Sequence, residues 1–392
     1  MNNADSNRAL LEGAQKRWLT IGVAGALLCA AGGFMNAEQF FRSYLFGFMF
    51  WFNLTLGCLA GVMTHNLTGG DWGIATRRQL EAGMRVLPLM ALLFLPILFG
   101  VPKIYEWANP EHVAHSAILQ QKAGYLNQSF FGIRAFVYFS IWLTLANLLY
   151  KWSGELERNP SLAIVRRMEN LSGPGILIFF LTSTLAAFDW VMSLEPHWYS
   201  TIYGLLFIVG QGLAMLAFMI AVTTWLSNRG ALSEAVGTKN FHDLGKLMHG
   251  FVVLWTYGSF SQFLIIWSAN LPEETIWYAH RIAGGWKLIA IGLAVFHFLV
   301  PFFLLLIRNN KMKSNILVKI AGLILFMRFV DLYWFISPAF NTNGLGLHWL
   351  DLAAPVGIGG LWLATFYGQL RKRSLAPLPD PFAEAEQAME RA

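Results

Sequence analysis

TIYGLLFIVGQGLAMLAFMIAVTTWL, residues Thr201 to Leu226, is a run of 26 residues without a charged side chain. At ~1.5 Å of helical rise per residue, such a run exceeds the ~30 Å hydrocarbon core of a bilayer. Working outward, apolar runs recur at Trp18–Phe34, Phe41–Asn66, Met84–Gly100, Phe130–Lys151 and Gly173–Met192 on one side. On the other they recur at Gly245–Ser268, Gly284–Ile307, Asn315–Ile336 and Leu350–Leu370. Composition agrees with membrane residence: the 392 residues are 56% hydrophobic and only 13% charged, where a soluble domain carries about a quarter. The expected fold is therefore all-α and integral to the membrane, with ten transmembrane helices. The third run is short and holds Pro88 and Pro96, which predicts a kink. Residues 1–17 read as a retained polar tail, since no small-residue cleavage site follows them. The segment with Pro377, Pro379 and Pro381 reads as an exposed extension.

Basic residues set the expected orientation, because loops rich in Lys and Arg stay cytoplasmic. Counted with the span edges, the N-terminal tail, the loops after spans two, four, six and eight, and the C-terminal tail hold twenty. The remaining loops hold four: Arg42, Lys103, Lys122 and Arg281. This alternation predicts both termini in the cytoplasm. It also accounts for the net charge of +6 by attraction to anionic lipid, without nucleic acid.

Several chemistries are excluded. The two cysteines, Cys29 and Cys58, stand alone in separate spans, so covalent haem and iron–sulfur ligation have no motif and no metal site is expected. His249 and His297 differ in depth, which argues against a bis-histidine haem. The Gly69–Gly70–Asp71 turn lacks the lysine and the strand–helix setting of a phosphate loop.

An internal repeat is expected at an offset of 157: SYLFGFMFWFNLTLGCLA from Ser43 aligns without gaps to STIYGLLFIVGQGLAMLA from Ser200. The fifth and ninth spans share an aspartate seven residues before a proline, Asp189 with Pro196 and Asp331 with Pro338. The domain organisation follows. Residues 1–40 form a tail and first span, 41–192 and 193–336 two parallel four-helix bundles (spans 2–5 and 6–9), 337–370 the last span and 371–392 a cytoplasmic tail. Spans 1 and 10 are peripheral in this scheme. Carboxylates within such spans are costly and report function or a buried partner. Arg134 and Lys287, at similar heights in the preceding spans, are the expected partners of Asp189 and Asp331. Arg328, one turn below Asp331, competes for the second pairing.

Several segments resemble a family. HNLTGGDWG (His65–Gly73) with RRQLEA (Arg77–Ala82), FDWVMSLEPHWYSTIYG (Phe188–Gly204), LWTYGSFSQFLIIWSANLPEE (Leu254–Glu274) and RFVDLYW (Arg328–Trp334) are similar to the NrfD-like membrane subunits of alternative complex III. Within that quinol:cytochrome c oxidoreductase the F-subunit branch is nearest, and the resemblance covers nearly all ten spans. It implies a bacterial inner (cytoplasmic) membrane location and a place in a respiratory or photosynthetic electron-transfer chain. It also implies a sister subunit of the same fold and periplasmic iron–sulfur and multihaem cytochrome c partners, with a terminal oxidase beyond them. Haem c and iron–sulfur clusters belong to those partners. No redox cofactor is expected in this chain, although a quinol is a candidate ligand.

The residues themselves fall into two tiers compatible with proton conduction: His65, Glu81, His249 and the deeper His297 on the inner side, Asp189, Arg328 and Asp331 on the outer. Helix capping is the competing reading for His65, and an interfacial position for His249. Glu195, His197, Glu273 and Glu274, at the water boundary, are expected to dock a periplasmic subunit. Three functions stay open at this point. They are a cofactor-free, proton-conducting and scaffolding subunit of an oxidoreductase, a quinol-binding catalytic subunit, and an independent secondary transporter.

Overall fold

The computed structural model describes residues 3–232, 236–342 and 344–375, so the proline-bearing extension lies outside the described residues. Every described element is helical. The first is α1 (Asn3–Met35), followed by α2 (Ala37–Thr68), which Asn36 caps by accepting from the Gln39 amide at 3.0 Å. Three shorter pieces come next: α3 (Asp71–Met84), α4 (Leu87–Leu93) and α5 (Leu95–Ile104). Pro88 and Pro96 stand in the first turns of α4 and α5, and the axis bends by 52° between Leu93 and Leu95. The expected kink is present. The helix starts at Asp71, however, well before the expected Met84, because Arg77, Arg78 and Glu81 neutralise one another and enter the interior with it.

The small helices α6 (Pro110–His115) and α7 (Ala117–Lys122) lead to the long α8 (Gln128–Arg158) and α9 (Leu162–Trp190). The later helices are α10 (Tyr203–Ser227), α11 (Thr238–Ala269), the short α12 (Pro272–Ile282) and α13 (Trp286–Gly292). A π-helical turn over Leu293–Leu299 runs into α14 (Val300–Leu306); then come α15 (Arg308–Met312), α16 (Ser314–Ile336) and α17 (Leu350–Leu370).

Seven of these, and an eighth made of α13, the π turn and α14 together (Trp286–Leu306), are long and apolar enough to cross a membrane. The count is nine if the bent α3–α5 stretch is one span, and the chain is a multi-pass membrane protein. The ninth expected span, α16, is 23 residues long but carries Lys319, Arg328 and Asp331 and is not among the eight. Two helices form the centre. In α2 and α10, 83% of the most apolar window is buried, against 22% in α1. These are the leading helices of the two aligned segments, and they pack on each other so closely that a Cβ on Gly57 would lie 2.4 Å from the Gln211 carbonyl. Helices α9, α3 and α5 surround α2; α11, α16 and α9 surround α10.

α17 departs from the peripheral position expected of it. It inserts between α1 and α2, with 72% of its window buried. Small residues allow this: Gly22 and Gly25 of α1 meet Gly360 and Gly357 of α17 backbone to backbone, and Gly47 of α2 abuts Pro355. Trp51 and Trp362 then anchor the seam through indole bonds to the Pro355 carbonyl (2.8 Å) and the Thr55 hydroxyl (2.7 Å). At the end carrying α6, α7 and α12, here the upper end, loops from both halves interlock. At the lower end α3, α8 and the residues after α17 do so.

Candidate functional site

The two aspartates occupy unlike surroundings. Asp189, near the end of α9, accepts from Arg134 Nε at 2.8 Å and Nη2 at 2.9 Å, and from the Tyr138 hydroxyl at 2.9 Å. Arg134 also donates to the Tyr125 carbonyl and is sandwiched against the Tyr125 and Phe130 rings. Tyr138 lies one turn from Arg134 on α8, so the i, i+4 spacing could have flagged it. This carboxylate is closed on every side. Below it Trp142, Phe52, Phe94, Phe139 and Trp190 interdigitate in one aromatic block.

Asp331 is different. Its Oδ2 accepts from Arg328 on the same helix, while Oδ1 makes no hydrogen bond of good geometry, the Trp255 indole being the neighbouring donor to the carboxyl. The expected Lys287–Asp331 pair is absent: Lys287 is exposed at the start of α13, and Arg328 sits closer because Gly210 of α10 leaves room for its guanidinium. A cavity of about 750 Å3 opens beside the carboxylate between α10, α11, α12, α13 and α16. Its walls are mostly aromatic and aliphatic; the polar groups that reach it include Asp331, Gln262, Tyr278 and Lys287. Tyr257, Phe260 and Ile291 on its rim are exposed apolar side chains, so the mouth faces the lipid.

His297 lies in the π turn behind this cavity. It is fully buried, packs edge-on against the cavity residue Trp255 at 4.1 Å, and neither ring nitrogen has a partner. Pro301 explains the local winding: without an N–H it cannot bond the His297 carbonyl, and the chain rewinds as a π turn just before it. Unsatisfied polar atoms at His297, Arg328 Nε and Asp331 Oδ1 therefore share one region of the interior. Gln211 and Asn53, joined at 3.2 Å across the α2–α10 contact, each keep one further unpaired atom.

Other expected residues are placed as follows. Glu81 is buried and gripped by Arg77 (2.8 Å), Arg78 (3.3 Å), Arg373 (3.2 Å) and the Ser153 hydroxyl. Arg373 reaches it from beyond α17, a contact with no local sequence signal. His65 lies against Gly73, where a Cβ would fall inside its ring, and bonds the Gly70 carbonyl at 3.2 Å. Its neighbour Asn66 accepts from Arg77 of the Glu81 cluster at 2.6 Å. His249 packs on Phe302.

At the upper end Glu273 is exposed at the start of α12, and His197 is exposed within 3.8 Å of Glu106, which also lies 3.7 Å from His112. Glu195 departs from the docking role expected of it. It is turned inward, accepting from Arg281 Nη2 at 2.7 Å and facing His280 Nδ1 at 2.9 Å. Burial pushes its carboxyl up, but the Arg281 guanidinium and His280 outweigh this and hold it below the ordinary 4.5. The sequence marks Arg281 only as a loop cation. The signal that could have marked it is Trp277 one turn earlier, on whose ring it stacks at 3.6 Å.

Among the described residues no group of three or more His, Cys, Asp or Glu is arranged to hold a metal ion. No family model matches the chain, and no curated protein matches it.

Proposed function

We propose that this chain is an integral subunit of a quinol-oxidising electron-transfer complex of the alternative complex III kind, in a bacterial inner membrane. It spans the bilayer ten times with both termini cytoplasmic. In this scheme α16 is a genuine span in which Arg328 and Asp331 pair with each other, and the upper end faces the periplasm. There the sister NrfD-like subunit, iron–sulfur subunit and multihaem cytochrome c subunits would contact exposed groups such as Glu273 and His197. The quoted motifs and the basic loops support the assignment. The observation that carries the working half is Asp331, which keeps one oxygen unpaired beside a lipid-facing cavity while Asp189 is fully engaged.

Proton conduction is accordingly assigned to the second half, through His297, Arg328 and Asp331, with ordered water expected at their unpaired atoms. The aromatic block below Asp189 leaves the first half a scaffold. A second reading, a quinol-binding subunit, is favoured by the same cavity. Its apolar walls suit an isoprenoid-bearing ring, and Asp331 Oδ1 is a free acceptor for a ring hydroxyl. In either case Asp331→Asn should lower quinol-dependent turnover by about 10²-fold, within the range of a lost acid–base group. Asp189→Asn should chiefly lower stability. The complex purified from native membranes should bring haem c and iron–sulfur subunits with this chain. A solitary protein with substrate flux, or unchanged turnover and proton release in Asp331→Asn, would overturn the proposal.

A further inference from the structure

The cavity beside Asp331 is covered at its upper end by α12. This helix begins just after Asn270, which adopts a left-handed conformation (φ 50°), and ends just before Gly284 (φ 46°). It is thus bounded by two chain reversals and could swing as a unit. Instead it is fixed from inside. Trp277, buried at the cavity wall, stacks on Trp198 at 4.8 Å and meets Trp334 edge-on at 5.4 Å. Arg281, also buried, donates to the Phe335 carbonyl at 2.8 Å and to Glu195 at 2.7 Å. Glu195 is the one acidic side chain that Arg281 pairs with among the described residues, and it comes from the connection between α9 and α10.

We propose that α12 is a fixed cover, positioned by Glu195, that leaves the cavity open to the bilayer and closed to the aqueous phase. Membrane-dissolved molecules then reach Asp331 through the cavity and hydrated ions do not; the proton route through His297 and Arg328 runs behind it. The selectivity is one of route: a molecule must already be dissolved in lipid to arrive. This extends the cavity reading above but stands on the geometry of α12, and it holds or fails whether or not a quinol is the occupant.

Thiol labelling of the full-length protein in membranes tests it without measuring turnover. The native Cys29 and Cys58 are buried, and Gln262, buried at the cavity wall, is a site for a single reporter in Gln262→Cys. The reporter should react with a neutral, lipid-soluble maleimide and at least tenfold more slowly with a sulfonated, impermeant one. Adding Glu195→Gln should raise the rate with the sulfonated reagent about tenfold, and Glu195→Asp should raise it less. Cys58, fully buried on α2, serves as the folding control and should stay unlabelled. If Glu195→Gln exposes Cys58, His280→Ala takes its place, with a smaller rise of about threefold expected. Rapid labelling by the sulfonated reagent with Glu195 intact, or no rise in either folded variant, would overturn the proposal.

Discussion

A carboxylate and a guanidinium in hydrocarbon survive only as a pair, and the Asp189–Arg134 contact shows how completely the pairing can be made. Two parallel N–H bonds, a tyrosine hydroxyl and two flanking rings leave neither charge exposed to lipid. Such a pair contributes little net stability over an apolar replacement, yet breaking it on one side strands a charge. Arg134→Ala should therefore destabilise the protein by about 3–5 kcal/mol, whereas Arg134→Met with Asp189→Leu should recover most of that loss. Thermal unfolding of the purified variants in detergent measures both. Equal stability of Arg134→Ala and the parent would remove the pair from the account. Residue-level reading succeeded for this pair because depth along two antiparallel helices can be counted from sequence. It failed for Lys287, because the room that Gly210 leaves beside Arg328 is a property of packing between helices. It failed again for Glu195, whose partners Arg281 and His280 arrive from a helix 85 residues away.

Helices α1 and α17 show what small residues decide at the scale of an element. A Cβ on Gly25 would lie 2.4 Å from the Gly357 Cα, so any side chain there forces the two helices apart. Gly25→Leu should cost about 1–3 kcal/mol by overpacking, and Gly13→Leu, where open space surrounds the glycine, should cost nothing measurable. The difference between the two in thermal unfolding tests the seam; parity would dissolve it. Spans were legible from hydropathy because backbone satisfaction forces helices in lipid, and Pro88 and Pro96 marked the bend correctly. The burial of α17 was not legible. Its apolarity says only that it avoids water, whereas the glycine face that draws it inward has meaning only opposite the glycines of α1. The π turn at His297 lay between these cases. Pro301 announced a lost hydrogen bond, though not the rewinding that absorbs it.

Over the whole molecule, two central helices from aligned segments carry flanking helices of unequal character. The first half is packed shut by aromatic rings, and the second holds a cavity with an incompletely satisfied carboxylate. Orientation in the membrane binds these features to a direction. In the proposed orientation, with the basic ends inward, Arg373 and the Arg77–Glu81 cluster would face the cytoplasm and α12 and Glu106 the other side. A protease site placed after Ser374 should be cut in inverted vesicles and protected in right-side-out ones; one placed near Glu111 should behave in the opposite way. Cutting of both from the same side would reject the ten-span arrangement.

The glycine seam also bears on how the chain is made. A ribosome delivers α1 before α17, with residues 36–349 synthesised between them. At ~5–20 residues per second this takes roughly 15–60 s, during which the glycine face of α1 has only lipid to meet. Lipid tails fill such a groove poorly, so the nascent molecule carries an open notch along α1 and α2 until α17 has been made. Closure of that notch waits on α17, whose arrival also brings Arg373 to Glu81. Chains stopped before α17 would present that notch to the bilayer, with the small-residue face of α1 unpartnered.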